Sequence, residues 1–181
     1  MNIQKTAIEG VYILEPRIFR DDRGYFYESY NQQKLIDLGI NTQFVQDNQS
    51  YSKKGVIRGL HFQKPPFAQA KLVRVIKGSV LDVAVDIRKG SPTYGKHVSV
   101  LLTGENHLQF YIPEGFAHGF VALEDDTVFM YKCSQFYHKE SEMSILYNDP
   151  ILKIDWKLDE MPIMTEKDLL GVAFDQFITP F

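Results

Sequence analysis

The sequence predicts a mainly β chain, an antiparallel barrel or two-sheet sandwich with a few short helices, mostly C-terminal. Three observations carry this. Short runs of Val, Ile, Leu, Phe and Tyr recur between breaks of Gly, Pro, Asn and Asp. No helical stretch is long enough for the crossovers that a parallel sheet demands. Within Val80–Ile87 apolar residues fill almost every position, as in a strand covered on both faces. In chain order the expected strands are Val11–Glu15, Tyr25–Tyr30, Phe44–Gln46, Val56–Gln63, Lys71–Ile76, Val80–Ile87, His97–Leu102, Gln109–Ile112, Gly119–Leu123 and Val128–Ser134. Gln32–Leu38 is the one helical stretch of the first half. Lys77-Gly78, Lys89-Gly90-Ser91-Pro92 and Thr103-Gly104-Glu105-Asn106 read as hairpin connections. From Asn148 onward the pattern loosens, and Pro150, Trp156 and Pro162 predict a tail that packs over the barrel.

With 181 residues, 44% apolar and 13% aromatic, the chain suits one domain over residues 1–181 with a sizeable core. The net charge is −3 and no long run of Lys or Arg occurs, which argues against a nucleic-acid partner. A few local cations still suffice to grip a phosphate ligand. The start, Met-Asn-Ile-Gln-Lys-Thr, is too polar for a secretory segment, and no apolar run reaches membrane-spanning length. The single cysteine, Cys133, sits in an apolar strand-like run and reads as a buried core thiol. The expectation is a soluble cytoplasmic protein with no membrane partner.

Chemistry concentrates around two of the five histidines. His97 and His107 flank turn signals and are expected to point at solvent. His61 lies between apolar strand residues in Gly55-Val56-Ile57-Arg58-Gly59-Leu60-His61-Phe62-Gln63, and His118 in Pro113-Glu114-Gly115-Phe116-Ala117-His118-Gly119-Phe120. Either alone reads as a core histidine with its hydrogen bonds satisfied. Two together, with Arg58 and Lys71 near the first, point to a site.

The segment Pro-x-Gly-x-x-His resembles the second motif of the cupin barrels, whose jelly-roll fold it implies. The first cupin motif supplies His-x-His, two of the metal ligands. Here the matching residues are His61-Phe62-Gln63, and an amide is a poor ligand for Zn²⁺ or Fe²⁺. The expectation is therefore no metal and no cofactor, with His61 available to carry a proton. Strict alternation places Arg58 and His61 on opposite strand faces, unless Gly59 forms a bulge.

A longer set of segments is more specific. Asp22-Arg23-Gly24-Tyr25-Phe26-Tyr27-Glu28-Ser29, Phe44-Val45-Gln46-Asp47-Asn48, the stretch Gly55 to Gln63, Lys71-Leu72-Val73-Arg74-Val75, Asp82 to Arg88, Gly115 to Phe120 and Tyr131-Lys132 together resemble the dTDP-4-dehydrorhamnose 3,5-epimerase family. The resemblance runs through Glu166-Lys167-Asp168, nearly the whole chain. It implies inversion of C-3 and C-5 of dTDP-4-dehydro-6-deoxy-D-glucose, to give dTDP-4-dehydro-L-rhamnose. Removing a hydrogen beside a ketone needs a placed base and a stabilised enolate.

By this resemblance His61 is the base, Asp168 the carboxylate behind it, Lys71 the cation at the enolate oxygen and Tyr131 the proton donor from the opposite face. Read alone, Tyr131 is an ordinary strand aromatic and Asp168 an exposed acid opening a short helix. Arg23 and Arg58 resemble a diphosphate grip. Gln46 and Asn48 would read polar edges of base or sugar, Glu28 the thymidine end, and Tyr137 would stack on the base. Phe26 would add an apolar wall and His118 a hydrogen bond near the sugar. Glu142 and Lys167 match positions near the nucleotide and read equally as solvated surface charges. Assembly is implied too: a homodimer with exchanged N-terminal strands, Arg23, Phe26 and Glu28 serving their own or the partner site. Three alternatives stay open at this level: a mono-epimerase on a related dTDP-4-keto sugar, a metal-dependent cupin enzyme, and a non-catalytic sugar-nucleotide-binding barrel.

Overall fold

Alternating side chains along the strands sort the apolar residues of the computed structural model, which describes residues 1–181, into three layers. The strands are β1 (Asn2–Lys5), β2 (Tyr12–Glu15), β3 (Phe19–Asp21), β4 (Gly24–Phe26), β5 (Gln46–Ser52), β6 (Ile57–Gln63), β7 (Lys71–Lys77), β8 (Ser79–Asp86), β9 (His97–Thr103), β10 (Gln109–Ile112), β11 (Phe116–Ala122), β12 (Thr127–Cys133) and β13 (Glu142–Ser144). Two short helices, α1 (Gln32–Asp37) and α2 (Glu166–Leu169), and a 3₁₀ turn at Lys139–Ser141 complete the elements. One sheet has the order β1-β2-β10-β7-β12-β5, a second β13-β6-β11-β8-β9, and β3 pairs with β4 as a hairpin. All pairings between these strands are antiparallel.

Between the two large sheets lie Val73 and Val75 of β7, Val80 and Ala84 of β8, Phe116 and Phe120 of β11, and Phe129 of β12. The other face of the five-stranded sheet presents Val83, Val85 and Val121, and the tail covers them with Leu152, Trp156, Phe174 and Phe177. β8 is thus buried from both sides, as its nearly continuous apolar run predicts. The Trp156 indole N–H donates to the Tyr147 carbonyl at 2.8 Å, so the tail's largest side chain enters without an unpaired donor. On the outer face of the six-stranded sheet, Leu35 of α1 packs with Ile40 over Leu14, Leu72 and Tyr111. Asn31 caps that helix by accepting the Lys34 N–H. Each such large side chain, fully buried, contributes about 1.5–3 kcal/mol.

Four differences from the sequence expectations have physical causes. The strand expected at Phe44–Gln46 runs instead from Gln46 to Ser52, and its polar sequence hides it because its inner face borders a polar cavity. β1 and β3 are unanticipated, since edge and hairpin strands need no apolar alternation. The run expected as a strand from Tyr25 to Tyr30 keeps strand geometry only to Phe26. His107, expected at solvent, is buried, its ring 4.6 Å from that of Tyr25 and 5.1 Å from that of Tyr27. No helix is long and apolar enough to cross a membrane.

Candidate active site

The site begins with a bulge in β6. His61 pairs with His118 and Arg58 with Phe120, so three steps of β6 span two steps of β11. Gly59 sits at the extra residue with φ +139°, and a Cβ there would lie 2.4 Å from the Gly119 Cα. Only glycine fits. The bulge turns Arg58 and His61, three positions apart, toward the same cavity of about 320 Å³, which Lys71, His118, Tyr131 and Asp168 also line. A smaller cavity of about 110 Å³ shares His61, Lys71 and Tyr131 and adds Gln46, Asn48, Tyr137 and Glu142. His61 comes from the five-stranded sheet, whereas Lys71 and Tyr131 come from the six-stranded one.

His61 Nε2 lies 2.6 Å from Asp168 Oδ1. Asp168 arrives on α2, where Thr165 caps the helix by accepting the Asp168 N–H at 3.3 Å. Burial opposes ionisation of Asp168, but the His61 hydrogen bond and charge, with Thr165 and Lys167, hold its carboxyl below the usual range. Asp168 is therefore an anion, and His61 carries its Nε2 proton toward it.

Lys71 is buried and makes no ion pair or side-chain hydrogen bond; its ammonium stands 6.0 Å from the centre of the Tyr131 ring. Burial lowers its pKa from the ordinary value, with Cys133, Asp82 and Glu142 pulling the other way. Burial also pushes the Tyr131 phenol up to about 12, so it stays protonated at neutral pH. His118 Nε2 meets both oxygens of Asp82, at 2.8 and 3.0 Å, deep in the same cavity. Burial drives the His118 pKa down despite the attraction of Asp82. Asp82 was not singled out from the sequence, although an acid inside a strand covered on both faces signals a buried partner.

Along β5 the side chains of Gln46, Asn48, Ser50 and Ser52 share the inner face. Gln46 donates to Asn48 at 3.1 Å and accepts the Tyr137 backbone N–H at 3.0 Å. Ser52 accepts from Arg58 Nε at 3.3 Å, and Arg58 also donates to the Tyr51 carbonyl at 3.2 Å. At the other end Tyr137 donates to Glu142 at 2.8 Å, and Lys167 forms an ion pair with the same carboxylate. Burial works against Glu142 ionising, but Lys167 and Tyr137 keep its pKa lowered.

Three expected binding residues stand apart. Arg23 and Phe26 are exposed on the β3–β4 hairpin and line a separate hollow, with Arg23 paired to Asp21. Glu28 pairs with Lys34 at 2.7 Å. Within one chain none of the three reaches the His61 cavity. Gln63, at the position of a cupin metal ligand, donates to the Phe67 and Phe136 carbonyls at 2.7 and 3.2 Å and accepts the His138 N–H at 2.8 Å. Its amide is spent on holding two loops. No group of three or more His, Cys, Asp and Glu side chains converges as metal donors.

This geometry suits abstraction of a proton from one face of a bound molecule and its return from the other. The family model described as dTDP-4-dehydrorhamnose 3,5-epimerase matches residues 5–176. A relative of that name from Salmonella typhimurium is 53% identical over 177 residues, 97% of each chain. The crystal structure of such an epimerase from Elizabethkingia anophelis superposes with a TM-score of 0.92 at 54% identity, covering 97% of each chain. A second structure, from Legionella pneumophila in complex with dTDP-4-keto-L-rhamnose, gives a TM-score of 0.94 at 51% identity and covers 98% of this chain and 94% of that one. A match of this extent, laid over a cavity with this geometry, means that the chain belongs to the dTDP-4-dehydrorhamnose 3,5-epimerase family.

Proposed function

We propose that the chain epimerises dTDP-4-dehydro-6-deoxy-D-glucose at C-3 and C-5 by proton transfer without a metal, with His61 as base. The activity is that of the family. The observation that carries the residue assignment is the 2.6 Å contact of His61 with an ionised Asp168 beside a cavity whose other wall holds Tyr131. With Nε2 committed to Asp168, the second ring nitrogen is the free lone pair. It takes the proton from C-3 or C-5, and the electron pair moves onto the C-4 oxygen. Lys71, whose ammonium has no partner in the protein, faces that enolate oxygen, where a fixed cation is worth more than in water. Tyr131 returns a proton from the opposite sheet, which inverts the carbon, and His61 and Tyr131 regain their starting states by exchange with solvent. Asp168 supports the imidazolium that forms in between.

Arg58 and His118 hold the diphosphate and the sugar, while Gln46, Asn48, Tyr137, Glu142 and Lys167 take the nucleotide end. Arg23, Phe26 and Glu28 belong to the neighbour's cavity in a homodimer with exchanged N-terminal strands. Their exposure and distance from their own His61 support that arrangement. Residues 1–181 act as one unit, because Asp168 of the tail completes the His61 site. A buried single thiol and the absence of any membrane-crossing helix suit a cytoplasmic setting. The test is incubation with dTDP-4-keto-6-deoxyglucose in heavy water, coupled to a 4-keto reductase that makes dTDP-L-rhamnose. Deuterium is expected at both C-3 and C-5, with dTDP-L-rhamnose formed. A product inverted at only one carbon would overturn the double inversion. Mixing an Arg23→Ala chain with a His61→Asn chain should restore part of the lost activity, and no recovery would refute the exchanged dimer.

A further inference from the structure

One buried hydroxyl of the cavity has no partner. The hydroxyl of Ser50 is shielded from solvent and makes no hydrogen bond. It is the exception along β5. Gln46 and Asn48 bond each other, and Ser52 is bonded to Arg58. A buried hydroxyl without a partner costs stability, and such orphans persist where a ligand supplies the missing bond.

Its place in the register says which part of the ligand. Across the β5–β12 pairing Asn48 stands opposite Tyr131 and Ser50 opposite Phe129. Ser50 therefore lies one same-face step from the residue facing Tyr131 and one from Ser52, which holds Arg58. The strand rise spaces such steps by roughly 6.5–7 Å. In the substrate, the reacting C-3 sits near His61 and Tyr131, and the diphosphate hangs from C-1 toward Arg58. The group between them is the hydroxyl on C-2.

We propose that Ser50 is a specificity-determining residue whose hydroxyl hydrogen-bonds the C-2 hydroxyl of the substrate's sugar. The assignment rests on the placement of the diphosphate at Arg58. It gives the one buried hydroxyl of β5 that lacks a protein partner a bond to make. It also gives the sugar ring a third anchor, beside the C-4 oxygen and the diphosphate. Three anchors fix the ring's rotation, which one base needs to reach both C-3 and C-5.

The experiment compares wild type with Ser50→Ala on the natural substrate and on its 2-deoxy analogue, and measures dTDP affinity and thermal stability of both proteins. For the natural substrate Ser50→Ala is expected to lower kcat/KM about tenfold, the worth of one neutral hydrogen bond. For the 2-deoxy analogue the two proteins should be equal, because the bond is already missing. The affinity for dTDP should be unchanged. Thermal stability should hold or rise, since the substitution removes an orphan; a structural role for Ser50 would lower it. Equal losses on both substrates, or a dTDP affinity that falls in step, would overturn the proposal. Arg58→Ala tests the underlying placement separately. It should weaken dTDP binding, and unchanged dTDP binding there would remove the frame on which the Ser50 assignment stands.

Discussion

Replacing Asp168 by alanine isolates what the carboxylate does for His61, the proposed base. Its oxygen lies 2.6 Å from His61 Nε2, and at an effective dielectric of about 20 two unit charges at that separation attract by roughly 6 kcal/mol. The His61 side chain is 26% exposed, so water screens part of this. Taking a third to a half leaves about 2–3 kcal/mol of lost support for the imidazolium, or roughly 30–150-fold in proton abstraction. His61→Asn should cost more, because it removes the proposed base itself, and a general base typically contributes about 10²–10⁴-fold. Asp168→Asn should be at least as damaging as the alanine, since its amide can donate to the imidazole and favour the wrong tautomer. The assay is the rate at which substrate C–H exchanges with heavy water, followed by proton spectra, with melting temperatures to check folding. An Asp168→Ala protein that is folded and exchanges within threefold of wild type would refute the reasoning.

Tyr131→Phe should leave exchange at His61 measurable while product inversion falls about 10²-fold or more, because the proton lost can return only from the face it left; equal losses in both readouts would deny Tyr131 its separate role. Lys71→Gln should lower kcat about 10²–10³-fold by removing a fixed cation at the enolate. Burial lowers the Lys71 pKa, so its charge is lost at a lower pH than an ordinary lysine's. Activity of the wild type should therefore decline on the alkaline side before Tyr131 titrates at about 12, and a pH–rate profile of Lys71→Gln should lose that limb. Asp86 bears on stability. Burial opposes its charge, but Arg88, Ser91 and Thr93 hold its pKa near 2 rather than the ordinary 3.8. A depressed carboxyl stabilises the fold above the unfolded value and loses that effect as pH falls toward 2, so Asp86→Asn should cost about 2–3 kcal/mol in urea unfolding at pH 7 and much less near pH 2.

The core strands were legible because apolar periodicity records burial. Val80–Ile87 announced a strand covered on both faces, and the tail and the opposite sheet cover it. β5 was not legible, since the alternation Gln46, Asn48, Ser50, Ser52 faces a polar cavity and carries no apolar signal. His107 misled for a related reason. Its φ of +53° marks a tight turn, yet the turn folds the ring back against Tyr25 and Tyr27. In the cavity, the motifs named His61, Lys71, Tyr131 and Asp168, and these side chains do converge. Spacing alone could not bring Arg58 and His61 to one face; the extra residue at Gly59 does that. The partnership of Asp168 with His61 spans 107 residues, so no local pattern could have encoded it. Only the family resemblance anticipated it.

That long separation ties competence to the order of synthesis. Every barrel strand is finished by Ser144, while Asp168 follows more than twenty residues later on α2. Until the tail emerges from the ribosome, His61 lacks its counter-charge and the five-stranded sheet lacks its apolar cover. Thr165, Lys167 and the parallel bridge between Ile145 and Val172 then dock the last helix and deliver the carboxylate. Proton abstraction thereby waits on the tail: a product broken off after Ser144 would lack both the Asp168 carboxylate and the Leu152, Trp156, Phe174 and Phe177 side chains that cover the five-stranded sheet.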